Sequence, residues 1–146
     1  MRRIFLDSSV LIAASGSKHG ASALIVSYCS KGAIEGFLSK YVYEEVRKNI
    51  AKKFSEQEKR RLNYILLKGG LKVIDNPNAP SIKEYQNIIS LKDVPILVAA
   101  HALSVDILVT HNTKDFMKFS VRKKMHPIQI LTPKKYIHML NNQIGR

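Results

Sequence analysis

Short runs that are mostly apolar recur along the chain and alternate with longer stretches whose apolar residues recur every three or four positions. The short runs are typical of buried β-strands and cover residues 3–6, 35–38, 71–74, 106–109 and 128–131. Strands that alternate with helices form parallel sheets with helices on both faces. The pattern therefore predicts an α/β fold, a three-layer α/β/α sandwich around a central parallel sheet, in a single domain spanning residues 1–146.

Helix signals lie between these strands. Helical periodicity spans residues 21–30 and 41–54, and a capping box from Ser55 to Glu58 begins a helix that ends at Gly69-Gly70. A similar box at residues 81–84 predicts another helix start. Thr132-Pro133 predicts the start of the last helix, with proline at its first position.

Three aspartates fall where the predicted fold brings chain segments to one edge of the sheet. Asp7 ends the first strand, Asp115 follows the strand at 106–109, and Asp93 precedes a helix that begins at residue 94 and is apolar nearly all round. Functional sites of parallel sheets gather beyond the carboxyl ends of the strands, so these side chains are candidates for one site. For Asp93 the alternative is a purely structural N-cap. Asp106 begins its strand, at the opposite edge, and is excluded.

A glutamate on the helix at 41–54 is the fourth candidate. Glu45 lies beside the apolar stripe of that helix, which consists of Val42, Val46 and Ile50, whereas Glu44 points to solvent. A charge beside a buried stripe suggests a site. The alternative is an ordinary surface ion pair of Glu45 with Arg47 or Lys48.

Polar residues in the turn after the fourth strand lie close to the same edge. Thr110 and Asn112 can orient a carboxylate or a bound water, or they can be ordinary turn residues. His111 lies near the proposed site. His101 lies in the buried helix, and we expect it to be a packed core residue.

Four converging carboxylates repel one another and require a counter-charge. A divalent cation supplies one, and hard oxygen ligands without a His or Cys cluster favour Mg²⁺ or Mn²⁺. The sequence therefore predicts a metal site built from carboxylates.

The rest of the chain is strongly basic. It contains 24 Lys and Arg against 11 Asp and Glu, a formal net charge of +13. Such a surface attracts polyanions, nucleic acid above all, and an acidic metal pocket on a basic surface suits an enzyme that cleaves phosphodiesters. The RNA-binding candidates are Lys52, Lys53, Arg122, Lys123 and Lys124.

The single cysteine, Cys29, permits no internal disulfide, and no run is long enough to span a bilayer. An apolar stretch near the start resembles a signal peptide, but the polar residues Asp7-Ser8-Ser9 interrupt it. A cytoplasmic protein without membrane contact is expected.

Four segments in order resemble the motifs of PIN-domain nucleases, especially stand-alone VapC-type toxins: FLDSSVLI, YVYEEV, KDVPILVAAHAL and DILVTHNTKDF. The resemblance implies a parallel sheet of four or five strands, a Mg²⁺ or Mn²⁺ site and endonucleolytic cleavage of RNA. It also implies an antitoxin protein and a second copy of the chain as partners. It assigns the metal and the catalysis to Asp7, Glu45, Asp93 and Asp115, with Ser9, Thr110 and Asn112 in support.

The chain departs from the family pattern at two positions. Ser9 stands where many members have Asn, and Asn112 stands where many have Asp, which removes one negative charge. A non-catalytic RNA-binding domain on the same fold is therefore the alternative. A haloacid-dehalogenase-like phosphatase would need Asp at position 9, and a dinucleotide-binding fold would need a glycine-rich first turn.

Overall fold

Five parallel strands form the centre of the fold in the computed structural model, which describes residues 2–78, 82–85 and 87–144. The strand order is β3-β2-β1-β4-β5. The strands are β1 (Arg2–Leu6), β2 (Ile34–Ser39), β3 (Lys72–Ile74), β4 (Ile107–Val109) and β5 (Gln129–Leu131). All five predicted strands are confirmed, and their ends differ from the prediction by at most one residue.

Eight helices lie within the described residues. They are α1 (Ser8–Gly16), α2 (Ala21–Ser30), α3 (Lys40–Lys53), α4 (Glu56–Lys68), α5 (Val94–Ala102), α6 (Thr113–Phe116), α7 (Phe119–Met125) and α8 (Pro133–Ile144). The sequence pattern did not predict α1 and α7. The second capping box begins at Ser81, which lies outside the described residues, so that prediction stays untested. The architecture is the predicted α/β/α sandwich.

Burial explains why these segments adopt their observed structure. The central strands β1 and β4 end in fully buried apolar triplets: Ile4, Phe5 and Leu6 in β1, and Ile107, Leu108 and Val109 in β4. Strands covered by helices on both faces have such continuous apolar runs. Helix α5 is buried along most of its length and, like α1, has no single apolar stripe. Periodicity therefore could not reveal α1, because a helix with little polar surface carries no helical period.

Local hydrogen bonds fix where the helices begin. The Ser39 hydroxyl accepts from the Val42 backbone N–H at the start of α3. At α4 the predicted capping box is present, because Ser55 Oγ accepts from Glu58 N while Glu58 Oε1 accepts from Ser55 N. Gly70, after α4, has φ +70°, a conformation that strongly favours glycine. The hydroxyls of Ser39 and Ser55 thus mark the starts of α3 and α4, and α3 begins directly at the end of β2.

The topology brings several chain segments to one edge of the sheet. Leu6 of β1 is in register with Val109 of β4, and the Asp7 N–H donates to the Val109 carbonyl one step beyond. At the opposite edge, Asp106 accepts from the Arg3 backbone N–H, and the Arg3 guanidinium donates to the Leu103 carbonyl just past α5. The N-terminus of α5 therefore points to the carboxyl edge, as predicted, and Asp106 lies away from it.

Within the part of the chain that the structure describes, none of the helices combines the length and apolarity that crossing a bilayer requires.

Candidate functional site

Asp7 is a buried carboxylate held by hydrogen-bond donors. Its side chain is only 5% exposed and directly follows β1, where it is the N-cap of α1. Oδ1 accepts from the Ser8 backbone N–H at 2.7 Å, and Oδ2 accepts from the hydroxyls of Thr110 at 2.7 Å and Ser9 at 3.0 Å. Three donors on an ionised carboxylate offset much of the cost of removing it from water.

The loop after β4 holds two of these donors in place. The Thr110 hydroxyl accepts from the Asn112 backbone N–H, and the Ser9 hydroxyl accepts from the His111 backbone N–H, both at 3.0 Å. Each hydroxyl therefore has its hydrogen directed to Asp7. The arrangement couples the ends of β1 and β4 through one carboxylate, and it brings the predicted supporting residues Ser9 and Thr110 to Asp7.

Glu45 reaches the same region from α3. Its carboxylate accepts a short hydrogen bond from the Ser8 hydroxyl, whose oxygen lies 3.4 Å from Asp7 Oδ1. Glu44 is exposed, as predicted. Within the described residues Glu45 forms no salt bridge with Arg47 or Lys48, and Arg47 donates to Asn63 and to the Tyr43 hydroxyl.

Ser8 is a site residue that the sequence analysis missed. It lies between two of the predicted acids and donates its single hydroxyl hydrogen to Glu45. The signal was the pair Ser8-Ser9 directly after a strand that ends in Asp7. The family resemblance assigned a supporting role to Ser9 alone. Because α1 was not predicted, the direction of the Ser8 side chain was not considered.

Asp93 occupies the N-cap position of α5 without capping it. Its backbone is in the helical region (φ −98°, ψ −15°), and its carboxylate accepts from the Ser90 hydroxyl at 2.8 Å. The purely structural role as a cap is therefore absent. Burial raises the pKa of Asp93, and the nearby charges of Asp7 and Asp115 raise it further, against the lowering effects of the Ser90 hydrogen bond and Lys92.

Asp115 and Asn112 form a reciprocal pair at the start of α6. The Asn112 side-chain oxygen accepts from the Asp115 backbone N–H at 3.2 Å, and its amide donates to Asp115 Oδ2 at 3.0 Å. An aspartate at position 112 could not donate and would repel Asp115. The departure from the family pattern therefore has a local role, which is to cap α6 and orient the Asp115 carboxylate.

Tyr41, at the start of α3, lies within the electrostatic influence of three of the acids. Its pKa is raised by burial first, and then by the charges of Glu45, Asp93 and Asp7. The Tyr41 hydroxyl donates to the Lys92 carbonyl at 2.5 Å. Since Asp93 also responds to Asp115, the four predicted acids influence one region of the carboxyl edge.

The acids are near one another without forming a closed cage. Among residues 2–78, 82–85 and 87–144, no three His, Cys, Asp or Glu side chains are close enough to hold a metal ion together. None of the four acids forms a salt bridge in the same residues. The donor set nevertheless fits a hard divalent cation, because Mg²⁺ is bound through one or two carboxylates and retains several waters.

The histidines near these elements have partners of their own. His111 Nε2 lies 3.0 Å from the Ser22 hydroxyl, and His101 Nδ1 lies 2.6 Å from the Tyr85 hydroxyl. His101 is half-buried and therefore not the packed core residue that the sequence predicted, and the Tyr85 ring meets it edge-on.

The predicted RNA-binding cations are exposed on two helices. Lys52 and Lys53 end α3, about 10 Å along the helix axis from Glu45. Arg122, Lys123 and Lys124 lie in the last turns of α7. The Lys124 ammonium lies 5.0 Å from the centre of the Tyr85 ring, so it leans away from its two neighbours.

Solved structures share the fold at low sequence identity. The VapBC2 structure from Rickettsia felis, bound to a DNA fragment from its promoter, aligns with a TM-score of 0.61 and 21% identity over 88% of this chain and 96% of that one. The Mycobacterium tuberculosis toxin VapC20, which cleaves the sarcin-ricin loop, aligns with a TM-score of 0.53 and 14% identity over 72% of this chain and 86% of that one.

Sequence comparison identifies the family. No curated protein sequence matches the chain. A family model described as a PIN domain matches residues 3–114, a segment that contains Asp7, Glu45 and Asp93 and ends one residue before Asp115. This match extends over most of the 146 residues, and the all-parallel central sheet is consistent with it. The chain belongs to the PIN domain family.

Proposed function

We propose that this protein is an endoribonuclease that depends on Mg²⁺ or Mn²⁺ and hydrolyses phosphodiester bonds with water as the nucleophile. The observation that carries the proposal is that two buried carboxylates, Asp7 and Asp93, lie at the carboxyl edge and form no salt bridge within the described residues. Burial and the charges of Asp7 and Asp115 raise the pKa of Asp93. Folding gains nothing from such repulsion. A site that binds a cation and a phosphate uses it.

Each acid has a distinct setting in the proposed site. Asp7 is oriented by hydrogen bonds from Ser9 and Thr110. Glu45 is linked to Asp7 through Ser8. Asp93, directly before α5, and Asp115, on α6, complete the set. Asn112 donates to Asp115. Because it is uncharged, the site has one negative charge fewer than in many family members.

A bound divalent cation lowers the pKa of a coordinated water and polarises the scissile phosphate. The carboxylates would hold the cation and balance its charge. The hydroxyls of Ser9 and Thr110 fix the direction of the Asp7 carboxylate. The basic surface, including Lys52, Lys53 and residues 122–124, draws in the RNA backbone. None of the five histidines needs to act as acid or base.

The direct test is cleavage of single-stranded RNA by the purified chain with Mg²⁺, with Mn²⁺ and with EDTA. Wild type is expected to cleave only with metal, and Asp7→Asn is expected to abolish cleavage. Glu45→Gln provides a second test with a matched control, Glu44→Gln, because these neighbours have the same chemistry but Glu44 faces solvent. Equal activity in Asp7→Asn and wild type would refute the proposal.

One observation favours a second candidate, a non-catalytic RNA-binding domain. No three acidic side chains in the described residues are positioned to hold a metal together. That candidate predicts RNA binding that is unaffected by EDTA, with no cleavage under any metal. The cleavage assay separates the two.

We further propose that the protein is the toxin of a toxin–antitoxin pair in the cytoplasm, with an antitoxin protein and a second copy of the chain as partners. Support comes from the fold similarity to a structure that contains VapB with VapC. The protein encoded next to this gene is expected to co-purify with the chain and inhibit cleavage. Light scattering of the purified chain tests the dimer.

A further inference from the structure

Helix α7 has a sharply divided surface. Val121 and Met125, four residues apart, are fully buried and anchor the helix to the core. The exposed side chains at helical spacings of three, four and seven residues share another face, and they line a shallow depression of about 450 Å³: Phe119, Arg122, Lys123 and His126. The Phe119 ring thus shares this depression with two cations and a histidine.

Phe119 is unusual in this setting. It is 72% exposed, although burying a phenylalanine side chain typically gains about 1.5–3 kcal/mol. An isolated exposed apolar residue needs no explanation. Here, however, the ring lies beside Arg122 and Lys123, and among the described residues no other apolar side chain lines the depression. A protein partner would favour a broader apolar patch, whereas a flat ring flanked by cations matches the chemistry of an unpaired nucleotide.

From this arrangement we infer that Phe119 is a stacking platform for an unpaired RNA base, and that Arg122 and Lys123 bind the neighbouring phosphates. The inference rests on the proposed function because it takes RNA as the substrate. It adds a residue outside the acidic site, Phe119, that would hold an unpaired nucleotide of that substrate by stacking. Aromatic stacking requires a base whose face is free, which a duplex does not offer.

The position of Phe119 along the chain places it close to the proposed site. Phe119 is four positions after Asp115, so their Cα atoms are at most about 14 Å apart. Between them, Phe116 is fully buried and anchors α6. Helix α7 leads from this edge to β5, which begins at the opposite edge, and Phe119 lies at the end nearer the acids.

The test measures binding in EDTA, so that it does not depend on cleavage. Fluorescein-labelled single-stranded oligoadenylate and an abasic strand of the same length and charge are titrated with wild type, Phe119→Ala, Phe119→Leu and Phe119→Tyr. Tyr64→Ala is the matched control, because Tyr64 is an aromatic residue that is 68% exposed on a different helix, α4. Salt dependence is measured for each variant and for Arg122→Gln.

Stacking predicts that Phe119→Ala and Phe119→Leu weaken oligoadenylate binding at least about fivefold, the lower end of base stacking on an aromatic ring. Phe119→Tyr and Tyr64→Ala are expected to bind like wild type. The salt slope is expected to stay unchanged in Phe119→Ala and to fall by about 0.7 in Arg122→Gln.

Three results would overturn the inference. The first is wild-type affinity in Phe119→Ala, and the second is an equal loss on the abasic strand. The third is a loss of antitoxin binding in Phe119→Ala with RNA binding intact, which would make this face a protein interface. A wild-type chain that binds oligoadenylate through Phe119 but never cleaves RNA would refute the proposed function and leave this inference standing.

Discussion

Replacing Thr110 with valine tests how the Asp7 carboxylate is held. Thr110 is fully buried, and valine has nearly the same shape, so Thr110→Val removes a hydroxyl without creating a cavity. The backbone N–H of Thr110 still donates to the Leu131 carbonyl. The interactions that disappear are the 2.7 Å donation to Asp7 Oδ2 and the acceptor for the Asn112 N–H.

The expected magnitude follows from these two hydrogen bonds. A hydrogen bond to a charged group contributes about 1.5–3 kcal/mol. The half-buried backbone N–H of Asn112 can donate to water instead, so its loss of Thr110 costs little. Thr110→Val should therefore lower the free energy of unfolding by about 2–3 kcal/mol and the Tm by about 5–10 °C. In an Asp7→Asn background the partner is neutral, and the same change should cost only about 1 kcal/mol.

Urea and thermal unfolding, followed by circular dichroism in EDTA at pH 7, measures all four members of this double-mutant cycle. Thr113→Val is the matched control, because Thr113 is exposed in the same loop region and its replacement should change stability by less than about 0.5 kcal/mol. If Thr110→Val costs no more than Thr113→Val, or costs the same with and without the Asp7 charge, the account of this hydrogen bond is wrong.

Three further predictions concern metal, pH and salt. Mg²⁺ or Mn²⁺ at 100 times Kd should stabilise wild type by about 2.7 kcal/mol; a Tm that rises equally in Asp7→Asn would place the metal elsewhere. The fold raises the pKa of Asp93, so the native state binds the Asp93 proton more tightly than the unfolded state does. The ionised Asp93 therefore destabilises the fold. This destabilisation is absent well below about pH 3.9 and grows as pH rises through the folded pKa. The unfolding free energy of Asp93→Asn in EDTA should therefore gain on wild type between acidic and neutral pH, and a pH-independent difference would contradict this. Neutralising Lys52 and Lys53, or residues 122–124, should reduce the salt slope of RNA binding by about 0.7 for each phosphate that the variant no longer binds, with metal affinity unchanged.

The sequence was sufficient for the sheet and for most of the helices. Five short, mostly apolar segments identified the five strands of the described residues, and the signal was strongest for the buried central strands β1 and β4. The rule that sites gather at carboxyl ends then brought Asp7, Asp93 and Asp115 to one edge from the sequence alone. Helical spacing by itself distinguished Glu45 from Glu44.

What the sequence could not supply is the direction of individual side chains. Ser8 bridges Asp7 and Glu45 only because α1 begins at residue 8, and that buried helix has no polar face to reveal its period. Asp93 looked like a cap, yet its backbone is already helical and its carboxylate turns to Ser90. Both outcomes depend on tertiary packing, which local patterns do not encode.

The end groups of cleaved RNA test the central claim most directly. If water attacks the phosphate and the 3′ oxygen leaves, the products of a single-stranded RNA carry a 5′-phosphate and a 3′-hydroxyl, and they form only with Mg²⁺ or Mn²⁺. The competing route uses the RNA 2′-hydroxyl as nucleophile with histidines as acid and base, and it requires no metal. Our account predicts 5′-phosphate and 3′-hydroxyl ends that disappear in EDTA, whereas a 2′,3′-cyclic phosphate that persists in EDTA would contradict it.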